Sequence, residues 1–197
     1  MPRRIAFFDF DGTITTKDTL LEFVKYSKGA FPFYLGFLLT SPWMVAYKCK
    51  LISNQAAKEQ FLRFFFRKTP LSEFEQLCKD FATEKIPQLI RPKALKEITQ
   101  LQEKDAQVVI VSASPGNWIR PWSENIGLQL IATRLIIKDQ RLTGKIEGRN
   151  CHGEEKVRRI KEAYTLADYD EVYAYGDTSG DKPMLRLGNF SFFKPFR

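Results

Sequence analysis

The chain contains one histidine, His152, so no multi-histidine metal site can be assembled from its 197 residues. Cysteine is equally sparse. Cys49, Cys78 and Cys151 are odd in number and widely spaced, which fits reduced thiols and argues against a disulfide framework or a zinc site. No G-x-G-x-x-G or Walker A run occurs, so a nucleotide-cofactor enzyme of the Rossmann or P-loop type has no support. There is neither an internal repeat nor a low-complexity tract. The N-terminus is basic and then apolar, but Asp9 and Asp11 interrupt it before a secretory core could form. The expected location is therefore the cytoplasm.

What is present supports a buried core, since 44% of residues are hydrophobic and 14% aromatic, enough for one domain or a core plus a small insertion. The net charge of +8 draws polyanions in general. However, the basic residues are scattered, as at Lys48, Lys50, Lys58 and Lys68, and no nucleic-acid reading motif accompanies them, so nucleic acid is not the expected partner.

Apolar runs at residues 5–8, 108–111 and 172–175 each stop at a polar turn, as buried parallel strands do, and 130–133 and 190–193 are weaker strand candidates. Helical stretches at 115–126 and 154–164 lie between them. The alternation predicts a doubly wound α/β fold with a mostly parallel sheet. Residues 135–138 and 141–146, joined through Asp139-Gln140, read as a small hairpin. From 16 to 91 the pattern is helical throughout. Its expected stops are Ser41-Pro42, Ser53-Asn54 and Thr69-Pro70, with Ser72 and Glu75 as a capping box. Ser114-Pro115 is expected to cap the helix that follows it.

Asp9 and Asp11 are two apart, so in an extended segment both project to one side, just beyond a strand end where Gly12 lets the chain turn. A turn or cap needs one carboxylate, not two. A second acidic pair, Asp177 and Asp181, follows another apolar strand. If the two strands are neighbours, as many as four carboxylates meet at one rim. Like charges at such distances raise one another's pKa values, so the cluster calls for a cation. Its donors are all hard oxygens, which suits Mg²⁺ better than Zn²⁺. A metal so held commonly takes a phosphate, and Lys156 with the Ser112 hydroxyl could supply the balancing contacts. His152 reads as a loop residue.

With these residues in place, the sequence resembles the haloacid dehalogenase (HAD) superfamily of phosphatases, in its phosphoserine-phosphatase-like branch (subfamily IB). Four separated motifs carry the resemblance across nearly the whole chain: Phe8-Asp9-Phe10-Asp11-Gly12-Thr13, Val111-Ser112-Ala113-Ser114, the run from Gly153 to Lys156, and Gly176-Asp177 with Asp181. The resemblance implies an α/β core of residues 1–15 and 92–197 and a helical cap inserted at 16–91. It implies that Asp9 attacks phosphorus to give an aspartyl-phosphate. Asp11 would protonate the leaving alcohol and then activate water. Mg²⁺ would be held by the Asp9 carboxylate, the Asp11 backbone carbonyl and Asp177, with Asp181 positioning the cluster. Ser112, the Ala113 amide and Lys156 would bind the phosphoryl oxygens. A carboxylate at the Asp11 position points to phosphate esters, because the dehalogenases of the superfamily lack it.

Substrate choice would fall to the cap. Phosphoserine phosphatases carry a glutamate that holds the substrate amine, and this chain has Asp18 at that spacing, where it also reads as the N-cap of a helix starting at Thr19. Arg63 and Arg67 are approximate matches to the arginine that reads the serine carboxylate. Residues 29–47 carry no charge and are rich in Phe, Leu, Tyr and Trp. Pro32 and Pro42 are expected to break this run into two short helices. Three readings stand for it: a buried cap core, a membrane span, or an exposed face flanked by Lys25, Lys28, Lys48 and Lys50 that meets a membrane or a lipid-like substrate. The leading expectation is a phosphatase of a small polar, phosphoserine-like phosphomonoester. The alternatives are a phosphatase of lipid phosphates such as phosphatidylglycerophosphate, docking by its cap, and a non-catalytic basic binding module.

Overall fold

Strand β1 (Arg4–Phe8) is withdrawn from water from Ile5 onward. Side chains alternate across a strand, so Ile5 and Phe7 feed one hydrophobic core while Ala6 and Phe8 feed another. A strand buried on both faces belongs in the middle of a parallel sheet. The computed structural model, which describes residues 2–197, places it there.

Six helices follow β1: α1 (Thr19–Lys28), α2 (Ala30–Lys48), α3 (Asn54–Phe66), α4 (Leu71–Glu84), α5 (Ile86–Leu89) and α6 (Pro92–Glu103). Then come β2 (Gln107–Pro115), α7 (Gly116–Asn125), β3 (Gln129–Thr133), β4 (Leu135–Lys138) and β5 (Arg141–Ile146). The chain ends with α8 (Glu154–Ala163), β6 (Glu171–Gly176), α9 (Lys182–Leu185) and β7 (Phe190–Phe193). The sheet order is β3-β2-β1-β6-β7 and every neighbouring pair is parallel, the doubly wound α/β arrangement the sequence predicts. The weaker candidates at 130–133 and 190–193 form its two edges. Outside it β4 and β5 pair as an antiparallel hairpin, and Asp139 and Gln140 both take the positive φ that its two-residue turn requires.

The ends of the helical stretch meet. The Thr16 amide donates to the Leu89 carbonyl and the Arg91 amide to the Ile14 carbonyl, both at 2.8 Å, so two chain segments run side by side where α1–α5 leave the sheet and return. The helices pack through an aromatic cluster in which Phe23 of α1 stacks on Trp118 of α7 at 4.6 Å and meets Phe74 and Phe81 edge-on. Truncating a buried ring such as Phe23 costs about 3–5 kcal/mol.

Three local expectations are corrected. Helix α2 runs unbroken through Pro42, because the Ser41 hydroxyl donates at 2.7 Å to the Leu38 carbonyl that the proline leaves without an amide. Pro32 sits in the first turn, where a missing amide costs nothing. Helix α4 starts directly after Pro70 with no side-chain cap, so Ser72 and Glu75 form no capping box. Ser114 belongs to the end of β2 and its amide donates to the Ser112 hydroxyl, leaving α7 without a side-chain cap.

Candidate active site

The central strands deliver the predicted residues to one rim. Phe8 is in register with Ile110 of β2 and Tyr175 of β6, so Asp9, one residue on, and Ser112 and Asp177, each two residues on, all emerge at the carboxyl ends of adjacent strands. The Asp9 amide donates to the Tyr175 carbonyl at 2.9 Å. The pairing of β2 with β3 slips between Ser112 and Pro115, which frees Ala113 and Ser114 from the ladder at the edge of the cavity. Beyond Asp9 the chain makes one wide turn closed by the Thr15 amide on the Phe10 carbonyl. Gly12 takes a φ of +84° there, and a Cβ on it would lie 2.5 Å from an Asp177 carboxylate oxygen.

One oxygen from each of Asp9, Asp177 and Asp181 lies within 4.8 Å of the others, and all three residues are buried. Lys156 from the first turn of α8 binds two of them, donating to Asp9 Oδ1 at 2.6 Å and to Asp181 Oδ1 at 2.8 Å. The Thr13 hydroxyl reaches Asp9 Oδ2 at 3.1 Å and Asp177 Oδ1 at 3.4 Å. The Arg197 guanidinium donates to Asp177 Oδ2. Asp181 is fully engaged: its Oδ2 accepts from the Thr178 amide and hydroxyl and from the Asp177 amide.

The cluster holds three carboxylates rather than four. The Asp11 side chain turns away to the N-terminus of α1, where its Oδ1 accepts from the Thr19 amide at 2.6 Å and the Thr19 hydroxyl at 2.5 Å. Its Oδ2 accepts from the Ser112 hydroxyl at 3.3 Å.

Burial pushes Asp9 up to about 7, with Asp181 and Asp11 adding to the shift, although the Lys156 ammonium opposes it. Asp177 is also raised, by burial and then by Asp181. Burial works against the charge on Asp181, yet Lys156 and the Thr178 donors hold its carboxyl below the usual range. Lys156 is likewise opposed by burial, and Asp9 and Asp181 hold its ammonium above the usual range. Burial and mutual repulsion thus work against the charge on Asp9 and Asp177 despite Lys156 and Arg197, and a divalent cation would offset them. The donors are hard oxygens beside a solvent-accessible cavity, a set that fits Mg²⁺.

The cavity has a volume of about 360 Å³. Asp9, Asp11, Lys156 and Asp181 form its floor, and Leu20, Leu21, Phe37, Met44, Tyr47 and Phe61 make its upper walls apolar. Asp18 stands at this upper end and caps α1 as expected, one oxygen accepting from the Leu20 and Leu21 amides. Arg63 and Arg67 are not part of the lining. Helix α3 turns Ala57, Lys58 and Phe61 to the cavity, whereas the Arg63 backbone packs against Gly144 of β5 and Arg67 ends the helix in solvent.

Besides Arg197, three residues of the site were given no role by sequence. Lys58 donates to the Ala113 carbonyl at 3.0 Å and to Asn150 Oδ1 at 3.3 Å, bridging α3 to the sheet. Desolvation lowers its pKa against the pull of Asp18 and Asp11. Its signal was the spacing to Phe61, three residues on along the same helix face. Thr13 lies inside the first motif and gave no separate signal. His152 is a loop residue, as expected, but its ring fills the space beside Gly180 and lines the cavity. Desolvation, then Lys156 and Lys58, lowers its pKa and keeps the ring neutral.

The fold and this rim of carboxylates are those of a hydrolase, and the chain belongs to the haloacid dehalogenase-like hydrolase family, whose model matches residues 6–186. Phosphatases are among its relatives. Protein CicA of Caulobacter vibrioides is 35% identical over 96% of this chain and 85% of its own length. Phosphoserine phosphatase of Methanocaldococcus jannaschii is 28% identical over 93% of this chain and 82% of its own. Among solved structures, a protein of unknown function from Bordetella pertussis Tohama I superposes with a TM-score of 0.81 at 24% identity, covering 95% of this chain and 88% of that one.

Proposed function

We propose that the protein is a Mg²⁺-dependent phosphomonoester hydrolase with Asp9 as its nucleophile. The observation that carries this reading is the state of Asp9: buried, gripped through Oδ1 by Lys156 and through Oδ2 by Thr13, and clustered with Asp177 and Asp181 at the mouth of the sheet. Asp9 and Asp177 would hold the cation with the Asp11 backbone carbonyl. Bound there, it would offset the charge of the phosphate and its carboxylate surroundings.

An Asp9 carboxylate oxygen forms a bond to phosphorus as the bond to the alcohol oxygen breaks, giving an aspartyl-phosphate. Asp11 gives its proton to the departing alkoxide. It then takes a proton from the water that attacks phosphorus and returns Asp9 as a free carboxylate. Thr19 fixes the Asp11 side chain through Oδ1, which leaves Oδ2 facing Ser112 for these transfers. Two of the three Lys156 ammonium hydrogens are committed to Asp9 and Asp181, and the third is left for a phosphoryl oxygen. The Ala113 amide would supply a further donor, as would the Ser112 hydroxyl once it turns from Asp11 Oδ2. Helices α1–α5 act as a cap, carried by the paired segments at 14–16 and 89–91, which excludes water until hydrolysis is due.

The leaving group sits under the cap. Asp18 and Lys58 offer one negative and one positive contact, which suits a zwitterionic, phosphoserine-like alcohol. The apolar walls, and the distance of Arg63 and Arg67 from the cavity, favour a second reading in which an amphiphilic phosphate is the better substrate. Hydrolysis of a generic aryl phosphate in Mg²⁺ tests the reaction. It is expected to vanish with a chelator and with Asp9→Asn, and label from a radioactive substrate is expected to stay on the acid-quenched wild type alone. Turnover that survives Asp9→Asn refutes the proposal. Competition between phosphoserine, phosphocholine and short-chain lipid phosphates decides between the two leaving groups.

A further inference from the structure

Helix α2 presents an unusual surface. Only Phe33, Gly36 and Thr40 are buried, a narrow stripe that packs against α3, where Gly36 admits the rings of Phe64 and Phe65. The other sides carry large apolar groups in solvent: Phe31 is 80% exposed, Leu38 67%, Tyr34 61%, Val45 58% and Trp43 41%. Phe64 at 49% and Leu51 at 78% add to this apolar surface. We propose that α2 lies in the interface of an anionic lipid bilayer and docks the protein there.

Charge selects this occupant. Between Glu22 and Glu59 the chain has no acidic residue, and Lys25 and Lys28 flank one end of α2 while Lys48 and Lys50 flank the other. Such an arrangement complements anionic headgroups. In a pair of copies joined through α2 the same lysines would be brought together with no acid in residues 23–58 to offset them, which disfavours self-association. Exposure also wraps most of the helix, whereas a protein groove covers one face. Aromatic residues with a polar handle, Tyr34 and Trp43, suit the interfacial layer.

Side-chain hydroxyls occupy carbonyls along this helix. Pro42 frees the Leu38 carbonyl, and the Ser41 hydroxyl occupies it at 2.7 Å; the Thr40 hydroxyl donates to the Gly36 carbonyl at 2.8 Å. Among the described residues no helix is long and apolar enough to cross a membrane, so the contact is one of lying on the bilayer. Phe37, Met44 and Tyr47 of the same helix also wall the cavity, so docking would bring the mouth of the site to the membrane surface.

The test is co-sedimentation of the full chain with vesicles of phosphatidylcholine alone or mixed with phosphatidylglycerol, with tryptophan emission followed in parallel. The wild type is expected to bind the mixed vesicles about tenfold or more tightly than the neutral ones and to be released by salt. Trp118 and Trp122 are buried, so a blue shift on binding reports Trp43, and Trp43→Phe removes the shift. Leu38→Glu with Val45→Glu, both outside the cavity, is expected to lose vesicle binding at least about tenfold. Its hydrolysis of a soluble aryl phosphate stays unchanged, which separates failure of docking from failure of the proposed chemistry. Absence of binding to the mixed vesicles overturns the proposal. So does equal binding by the double variant, or self-association in lipid-free buffer that the same substitutions abolish.

Discussion

Lys156→Met isolates the charge that holds the site together. The substitution keeps an unbranched stem of similar length, so little cavity is opened, but it removes an ammonium that is 1% exposed and bound at 2.6 Å and 2.8 Å to carboxylates that are 8% and 3% exposed. Both carboxylates then stay buried without their cation. Breaking a buried pair in this way costs about 3–5 kcal/mol. With a urea slope of about 2 kcal/mol per molar, the unfolding midpoint in chelator should fall by roughly 2 M. Far-UV circular dichroism in urea measures this directly. Repeating it on an Asp9→Asn background completes a double-mutant cycle, with an expected coupling above roughly 1 kcal/mol. A loss below about 1 kcal/mol in chelator, or strict additivity with Asp9→Asn, would refute the claim that this lysine holds the carboxylate cluster.

Gly12→Ala forces a side chain into the left-handed region at a cost of about 1–2 kcal/mol and drives its Cβ onto Asp177, so both the melting temperature and the apparent Mg²⁺ affinity of turnover should fall. Glu155, next to Lys156 on α8, is held down to about 2 by hydrogen bonds from Arg158, against the opposing effect of burial and with further help from Arg159. Its ionised form is favoured by folding, so its contribution is complete above the ordinary value of 4.5 and is lost as pH falls through about 2. Glu155→Gln should therefore cost about 1–3 kcal/mol at neutral pH, and urea titrations at successively lower pH should show the gap to wild type closing. Lys58→Met should raise KM by about tenfold with a smaller change in kcat if, as proposed, the ammonium meets the leaving group and not the phosphoryl oxygens; an unchanged KM argues against that placement.

The positions of Asp9, Ser112 and Asp177 were legible because each follows an apolar run of strand length, and a parallel sheet brings such strand ends to one edge whatever helices lie between. Asp18 as a cap and the hairpin through Asp139-Gln140 were legible for a local reason: both are set by backbone geometry within a few residues. Lys58, by contrast, acquires its place only when α3 packs against the loop before α8, where Asn54 and Gln55 also bond to Asn150. Its spacing to Phe61 puts it on the apolar face of the helix, but which basic residue of α3 meets the cavity is decided by the packing that sends Arg63 to β5. The direction of the Asp11 side chain was also out of reach, since two carboxylates on one side of a strand can diverge once one of them meets the amide and hydroxyl of Thr19.

The sequence by itself determined that α2 is apolar, free of acid and bracketed by lysines. Hydropathy is the same for a helix in a core and a helix in solvent, so only the tertiary structure decided its setting. Gly36 seats one narrow stripe of the helix on α3, and among the described residues nothing covers Phe31, Leu38 and Val45, which are left outside.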